Sequence, residues 1–424
     1  MQVSVFGLGY VGCVTAACLA KAGHDVCGVD VNNEKVTAVN AGQSPIVEPG
    51  LGELLGEVVG SGRLHATTST ELGVAGSDLA LVCVGTPSRE SGQLDVGALE
   101  RVAQEIGGAL GRRPKPYTVV CRSTVLPGTT ESLLIPVLRA AAGAAAGSVH
   151  VALNPEFMRE GSSLRDFATP PLTLVGSDEP APAALLRQLY AGVSAPFVHT
   201  SVRTAEMAKY VSNAFHALKV SFANEIADLC ERLGADAQDV MRVFRMDHTL
   251  NISEAYLRPG FAFGGSCLPK DLRALLYAAR TVDLSIPVLS GILPSNEGQI
   301  VQGAARILAT RKRKIGLVGL SFKPGTDDLR ESPLVRLAEI LIGKGCQVRI
   351  LDRHVSIARL GGANRRYIEE EIPHISSLMC DSAEALLAHA EVVVIGYLDA
   401  DAKLVLSGLT PHHSVVDLTR AVGG

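Results

Sequence analysis

Tryptophan is absent from the 424 residues, and aromatic side chains together make up only 4% of them. Such a chain has few platforms on which nucleic-acid bases could stack. Charge is also scarce, at 19% of residues, and 39 Lys plus Arg against 43 Asp plus Glu leave a formal charge of −4. A balance so close to neutral carries no electrostatic footprint for nucleic acid or an anionic membrane. No uninterrupted apolar run approaches the roughly 18 residues that a spanning helix needs. The opening MQVSVFG enters a strand pattern without the basic and apolar regions of a secretory signal. The nine cysteines are scattered and odd in number, with no CxxC pair, which argues against a disulfide framework or a zinc site. These absences lead us to expect a cytoplasmic protein with no metal, no nucleic-acid partner and no membrane segment.

What is present is a large stock of core-forming residues, 47% hydrophobic, punctuated by 43 glycines. That is about a tenth of the chain, against a usual ~7%. At roughly 150 residues per domain the length suggests about three domains. The first ~200 residues alternate short β-branched runs, Val3–Phe6, Asp25–Asp30, Leu79–Val84, Tyr117–Cys121 and Val149–Leu153, with helical stretches such as Val11–Ala22 and Gly97–Leu110. This is the rhythm of a doubly wound parallel sheet. Ser201–Leu233 then runs without Pro or Gly and predicts one helix of about nine turns. Alternation resumes with Lys314–Val318, Gln347–Leu351, Glu391–Ile395 and Ser414–Asp417. The expected fold class is α/β: two Rossmann-type doubly wound parallel-sheet domains, 1–199 and 299–424, joined by a central helical domain, 200–298.

Five strings carry candidate chemistry. Gly7-Leu-Gly9-Tyr10-Val11-Gly12 follows the first strand and opens a helix, a GxGxxG whose glycines allow a tight turn, close approach to a pyrophosphate and helix–strand packing. Asp30, at the end of the next strand, is placed to take the ribose hydroxyls of NAD, with Lys35 nearby. The alternative is a tight turn without ligand. In Gly260-Phe-Ala-Phe-Gly-Gly-Ser-Cys267-Leu-Pro-Lys270-Asp271, a loop thiol beside a helix start and Lys270 has the setting of an activated nucleophile. The other eight cysteines read as small buried hydrophobes.

Lys209, Asn213, His216 and Asn224 fall within an arc of roughly 80° on the long helix. They line either a polar cavity or a solvated face. Asn154-Pro-Glu156-Phe-Met-Arg-Glu160 follows a strand, so both carboxylates could face one site if the turn is helical; otherwise they are exposed acids. Near it in fold order, Gly85-Thr86-Pro87 and Arg122-Ser123-Thr124 place hydroxyls after strands, within reach of a nicotinamide or a water. Ser321-Phe-Lys323-Pro-Gly-Thr-Asp-Asp-Leu-Arg330-Glu-Ser-Pro333 brackets a sheet edge with two cations, suited to an anionic ligand or to mutual surface pairing.

With SPIVEPGL (44–51), GTPS (85–88), RSTVLPGT (122–129) and NPEFMREG (154–161), these strings resemble the UDP-glucose/GDP-mannose dehydrogenase family over essentially the whole chain. Within it, SPIVEPGL, Pro170-Pro171 and residues 247–271 look like the GDP-mannose branch. The resemblance implies NAD-dependent, four-electron oxidation of the C6 hydroxymethyl of GDP-mannose to GDP-mannuronate, for alginate-type polysaccharide synthesis, through a Cys267 thiohemiacetal and thioester. It implies oxyanion stabilisation by Lys209 and Asn213, and handling of water by Thr124, Glu156 and Asp271. Glu160, Lys209, Asn213, His216, Asn224, Tyr256, Arg258 and Lys323 look like nucleotide-sugar contacts. Gly7, Gly9, Tyr10, Val11, Gly12, Asp30, Lys35, Thr86, Thr124 and Arg330 look like NAD contacts. It also implies a homodimer through the central helices, the partner's 255–262 segment closing the site. Ala255 stands where relatives tend to carry a second tyrosine. The alternatives are a UDP-glucose or other nucleotide-sugar 6-dehydrogenase and, more remotely, an inactive NAD-binding scaffold.

Overall fold

The computed structural model describes residues 1–91, 93–111, 115–253, 255–257, 260–265, 268–322, 324, 329, 331–353, 355 and 375–419. They divide into two compact units, Met1–His216 and Ala217–Gly424.

The first unit is built on strands β1 (Gln2–Phe6), β2 (Asp25–Val29), β3 (Leu64–Thr67), β4 (Leu79–Val82), β5 (Tyr117–Cys121), β6 (Val149–Leu153), β7 (Thr173–Gly176) and β8 (Phe197–Thr200). Their order is β3-β2-β1-β4-β5-β6-β7-β8. Val3, Val5 and Phe6 of β1 and all of Leu79–Val82 are buried, because helices cover both faces of a parallel sheet and its central strands are core along most of their length. β1 pairs in parallel with β2 on one side (Val3 opposite Val26) and β4 on the other (Val3 opposite Leu79). The chain therefore reverses its winding between β1 and β4, and a crevice opens at their carboxyl ends. β6 pairs antiparallel with β7, which is parallel to β8, so the sheet is not wholly parallel as the pattern predicted. The strands ending at Val29 and Val82 also stop short of the predicted Asp30 and Val84.

Helix α1 (Tyr10–Lys21) and helix α2 (Gly97–Leu110) match the predicted stretches closely. Helix α3 (Val202–Leu233) is the predicted long helix, 32 residues and so about 48 Å long. The boundary between the two units falls inside it.

The second unit holds helices α4 (Leu268–Thr281), α5 (Pro287–Leu308) and α6 (Pro333–Gly343), and strands β9 (Lys314–Val318), β10 (Gln347–Leu351), β11 (Val392–Ile395) and β12 (Ser414–Asp417). These four strands form a parallel sheet in the order β10-β9-β11-β12, with its own switch point between β9 and β11. Its core packs Leu317, Leu337, Leu341 and Val394. The molecule is thus an α/β protein with two Rossmann-type sheets and a helical segment between them in sequence.

Candidate active site

At the switch point of the first sheet the backbone turns on Gly7, whose φ of +92° is a conformation L side chains avoid. A Cβ on Gly12 would stand 1.8 Å from the Gly7 carbonyl oxygen, so only glycine lets α1 lie this close to β1. A Cβ on Gly9, by contrast, would meet nothing within 4 Å. Gly9 caps α1 without any side-chain hydrogen bond, which leaves the first-turn amides to the outside. Packed on its inner side and open on its outer side, the turn fits the pyrophosphate of a dinucleotide.

Asp30 is buried at the end of β2. Its carboxylate accepts from the Leu8 amide at 2.7 Å and the Asn32 amide at 2.8 Å, with the Lys35 ammonium at 3.6 Å. A carboxylate offers about four lone-pair positions, so acceptor capacity remains for a ribose diol. Tyr10 and half-buried Val11 follow the turn, and the Tyr10 hydroxyl donates to Glu48 at 2.5 Å. Thr86 donates to the Thr124 carbonyl at 2.7 Å, tying the loops after β4 and β5 together. The Ser123 hydroxyl is engaged by the Val84 carbonyl at 2.6 Å, so it serves the fold rather than a ligand.

The loop after β6 brings Glu156 to Lys209 of α3, with the Lys209 Nζ 3.0 Å from Glu156 Oε1 and both side chains nearly buried. The Met158 amide also donates to Glu156, and the Lys209 ammonium lies 5.3 Å from the centre of the Phe157 ring. The helical turn that would put Glu156 and Glu160 on one face does not form: residues 154–159 are not helical, and Glu160 is exposed. Of the α3 stripe only Lys209 is buried, whereas Asn213, His216 and Asn224 lie exposed in the single chain.

In the second unit, Lys270 pairs with Asp271 at 2.6 Å, so the cation expected to activate the neighbouring thiol is itself held by an acid. Tyr256 is 83% exposed with a φ of +62°. Cys267, Arg258, Lys323 and Arg330 lie outside the described residues. The eight described cysteines are free thiols. Burial pushes Cys13, Cys18, Cys83 and Cys121 up to about 12 and Cys27 to about 11, far from a thiolate at neutral pH.

The second sheet repeats the first one's turn with one addition. Gly319, after β9, has a φ of +93°, and Asp352, after β10, accepts from the Leu320 amide as Asp30 does from Leu8. Here, however, the Tyr397 hydroxyl donates to the same carboxylate at 2.6 Å and its ring packs against Gly319. A side-chain hydroxyl thus occupies one acceptor position of Asp352.

Several residues with structural leverage escaped the sequence reading. Arg122, 6% exposed, donates to Thr15, Asn154 and Tyr190 and so fixes the start of the Glu156 loop. Two buried glutamates on α3 cap other segments: Glu206 accepts from the Gly128 and Thr130 amides, and Glu225 from the Val288 and Leu289 amides at the start of α5. Glu206, three residues before Lys209 on α3, carried a signal in its spacing; Arg122 stood in a string read only for its hydroxyls, and Glu225 carried none. Among the described residues no His/Cys/Asp/Glu cluster is arranged to hold a metal, and no helix is long and apolar enough to cross a membrane.

A dinucleotide cradle at a sheet switch point, with a buried lysine–carboxylate pair at the carboxyl edge of the same sheet, defines the class of nicotinamide-dependent oxidoreductases. The chain belongs to the UDP-glucose/GDP-mannose dehydrogenase family. Residues 1–194 match its NAD binding domain, 203–298 its central domain and 316–422 its UDP binding domain. The chain is 49% identical over 397 residues to the GDP-mannose 6-dehydrogenase of Pseudomonas aeruginosa, covering 93% of this chain and 91% of that one. It is 35% identical over 405 residues to a UDP-glucose 6-dehydrogenase of Haloferax volcanii, covering 93% and 90%. The fold is similar to that of the Pseudomonas aeruginosa GDP-mannose dehydrogenase solved as a ternary complex, with a TM-score of 0.95 at 46% identity, covering 99% and 96%.

Proposed function

We propose that the protein oxidises the C6 hydroxymethyl of GDP-mannose to the carboxylate of GDP-mannuronate. One alcohol, two NAD⁺ and one water become one carboxylate, two NADH and three protons. NAD, when bound, takes up one hydride in each of the two oxidations. Gly7, Gly9, Tyr10, Val11, Gly12, Asp30, Lys35, Thr86, Thr124 and Arg330 hold it. The Cys267 thiolate attacks the C6 aldehyde, forming a C–S bond, and the carbonyl oxygen becomes an oxyanion steadied by Lys209 and Asn213. Oxidation of that thiohemiacetal leaves a thioester. Water positioned by Thr124, Glu156 and Asp271 attacks the thioester carbon, the C–S bond breaks and the thiolate returns. Glu160, His216, Asn224, Tyr256, Arg258 and Lys323 hold the nucleotide sugar.

The observation that carries this reading is the buried Lys209–Glu156 pair after β6 of the same sheet that holds the dinucleotide cradle. Removing an amine and a carboxylate from water is costly, and a scaffold that only bound NAD would have no use for it. Greater likeness to GDP-mannose enzymes than to UDP-glucose enzymes supports the choice of sugar. The three domains are 1–199, 200–298 and 299–424. Exposed Val211, Leu218 and Val220 on α3 support a homodimer through the central helices, with the partner's 255–262 segment completing the site. We place the protein in the cytoplasm, supplying a uronic acid for alginate-type polysaccharide.

Incubation with NAD and GDP-mannose, UDP-glucose or other nucleotide sugars in parallel tests the substrate. NADH should form with GDP-mannose and scarcely with UDP-glucose. Turnover of UDP-glucose alone would remove the choice of sugar, and no turnover with any sugar would favour the scaffold.

A further inference from the structure

Cys267 stands in sequence between residues 260–265 and α4, which begins at Leu268. Both flanks bear on one residue, Glu331. On the entry side a Cβ on Gly264 would stand 2.3 Å from the Glu331 carbonyl oxygen and 2.7 Å from Pro333 Cδ, so the segment runs tight against the turn that precedes α6. On the exit side Arg273, on α4, meets the Glu331 carboxylate in a two-point pair, Nη1 to Oε1 and Nη2 to Oε2, each at 2.6 Å. Glu331 itself has a φ of +52°, a left-handed conformation uncommon for a residue with a Cβ. Such a backbone persists where its surroundings over-determine it.

Two further contacts stiffen the entry segment. The Asn296 side chain, from α5, accepts from the Phe263 amide at 2.9 Å and donates to the Phe263 carbonyl at 2.8 Å, holding both polar groups of one residue. Gly265, at a φ of +89°, presses against the Phe322 ring.

We propose that Glu331 is a positioning residue: its carboxylate grips α4 through Arg273 while its carbonyl abuts Gly264, so that one residue holds the described segments that precede and follow Cys267 in sequence. The inference rests on the reading of Cys267 as the nucleophile, since a nucleophile misplaced by about an ångström loses much of its rate. The alternative is a surface ion pair of no consequence. The Arg273 and Glu331 side chains are 55% and 35% exposed, and exposed pairs add little to stability. Removing the pair therefore leaves the fold intact and exposes its effect on the loop.

The test uses the full chain with Glu331→Ala, Arg273→Ala, the double variant and Arg273→Lys. Initial rates with NAD and GDP-mannose are measured beside the rate of iodoacetamide labelling of the Cys267 peptide, followed by mass spectrometry. Each alanine variant should lower kcat and the labelling rate about tenfold, with KM for GDP-mannose within about twofold. The double variant should lose no more than either single one, since the two side chains act as one unit. Arg273→Lys should recover part of the loss. Unchanged labelling and kcat in both single variants, additive losses in the double, or a raised KM with kcat intact would each overturn the clamp. Slower labelling with undiminished turnover would uphold the clamp and count against Cys267 as the nucleophile.

Discussion

Glu48 is the clearest case of a single residue whose chemistry is set by partners far away in sequence. Burial alone would raise its carboxyl. The Tyr10 and Ser163 hydroxyls and the Gly161 and Ser163 amides outweigh that and hold it down at about 2. A carboxyl lowered on folding contributes stability that is complete above its ordinary value of 4.5 and is lost as the pH falls through about 2. Thermal melts from pH 6 to pH 2 should show the wild-type midpoint dropping below pH 4.5, with a shallower drop for Glu48→Gln. Parallel slopes for the two proteins would contradict the role given to Glu48. The SPIVEPGL string put Glu48 in view, but nothing in a linear sequence marks partners 113 and 115 positions away. Lys209 and Glu156 were both legible as polar residues at structurally privileged points, the inward stripe of a helix and the end of a strand. That they meet was not, because their pairing depends on how α3 packs over the sheet edge.

Among the elements, the glycine turn makes the sharpest separable prediction. Gly12→Ala puts a methyl into the Gly7 carbonyl and should destabilise the first unit by several kcal/mol, an overpacking cost of about 1–3 kcal/mol or more. Gly9→Ala has open space on the protein side, so its melting point should stay within about 1 °C of wild type while the KM for NAD rises. If Gly9→Ala left that KM unchanged, the cradle would not be where the pyrophosphate sits. The α3 caps act at the same scale. Glu225→Ala strips two amides at the start of α5 of their acceptor and should cost about 1–2 kcal/mol in denaturant unfolding; a change below about 0.3 kcal/mol would leave the cap without weight. Elements with a strong period were readable: β5, β6, β9, β10 and β12 have the bounds their β-branched runs predicted, and α3 begins one residue late. β3 and β8 were not read, since four-residue strands with patterns such as Leu64-His-Ala-Thr or a half-exposed Phe197-Val-His-Thr carry too few buried positions to stand out; β7 was not read although all four of its residues are buried, its short run ending on Gly176.

At the scale of the whole molecule, each of the two sheets carries the same glycine turn and carboxylate, and in the second a Tyr397 hydroxyl donates to that carboxylate. The proposed homodimer predicts a sedimentation mass near twice the 44.4 kDa chain, and Val220→Asp on the exposed face of α3 should shift it toward the monomer. A monomer at all concentrations would contradict the dimer. The proposed chemistry takes one alcohol through two oxidations without releasing the aldehyde. Its most direct test is the ratio of NADH formed to GDP-mannose consumed at completion, with wild type and Cys267→Ala side by side. The account predicts a ratio of two for wild type, with GDP-mannuronate as the product, and no acid from Cys267→Ala. A ratio of one with free aldehyde, or undiminished acid from Cys267→Ala, would contradict it.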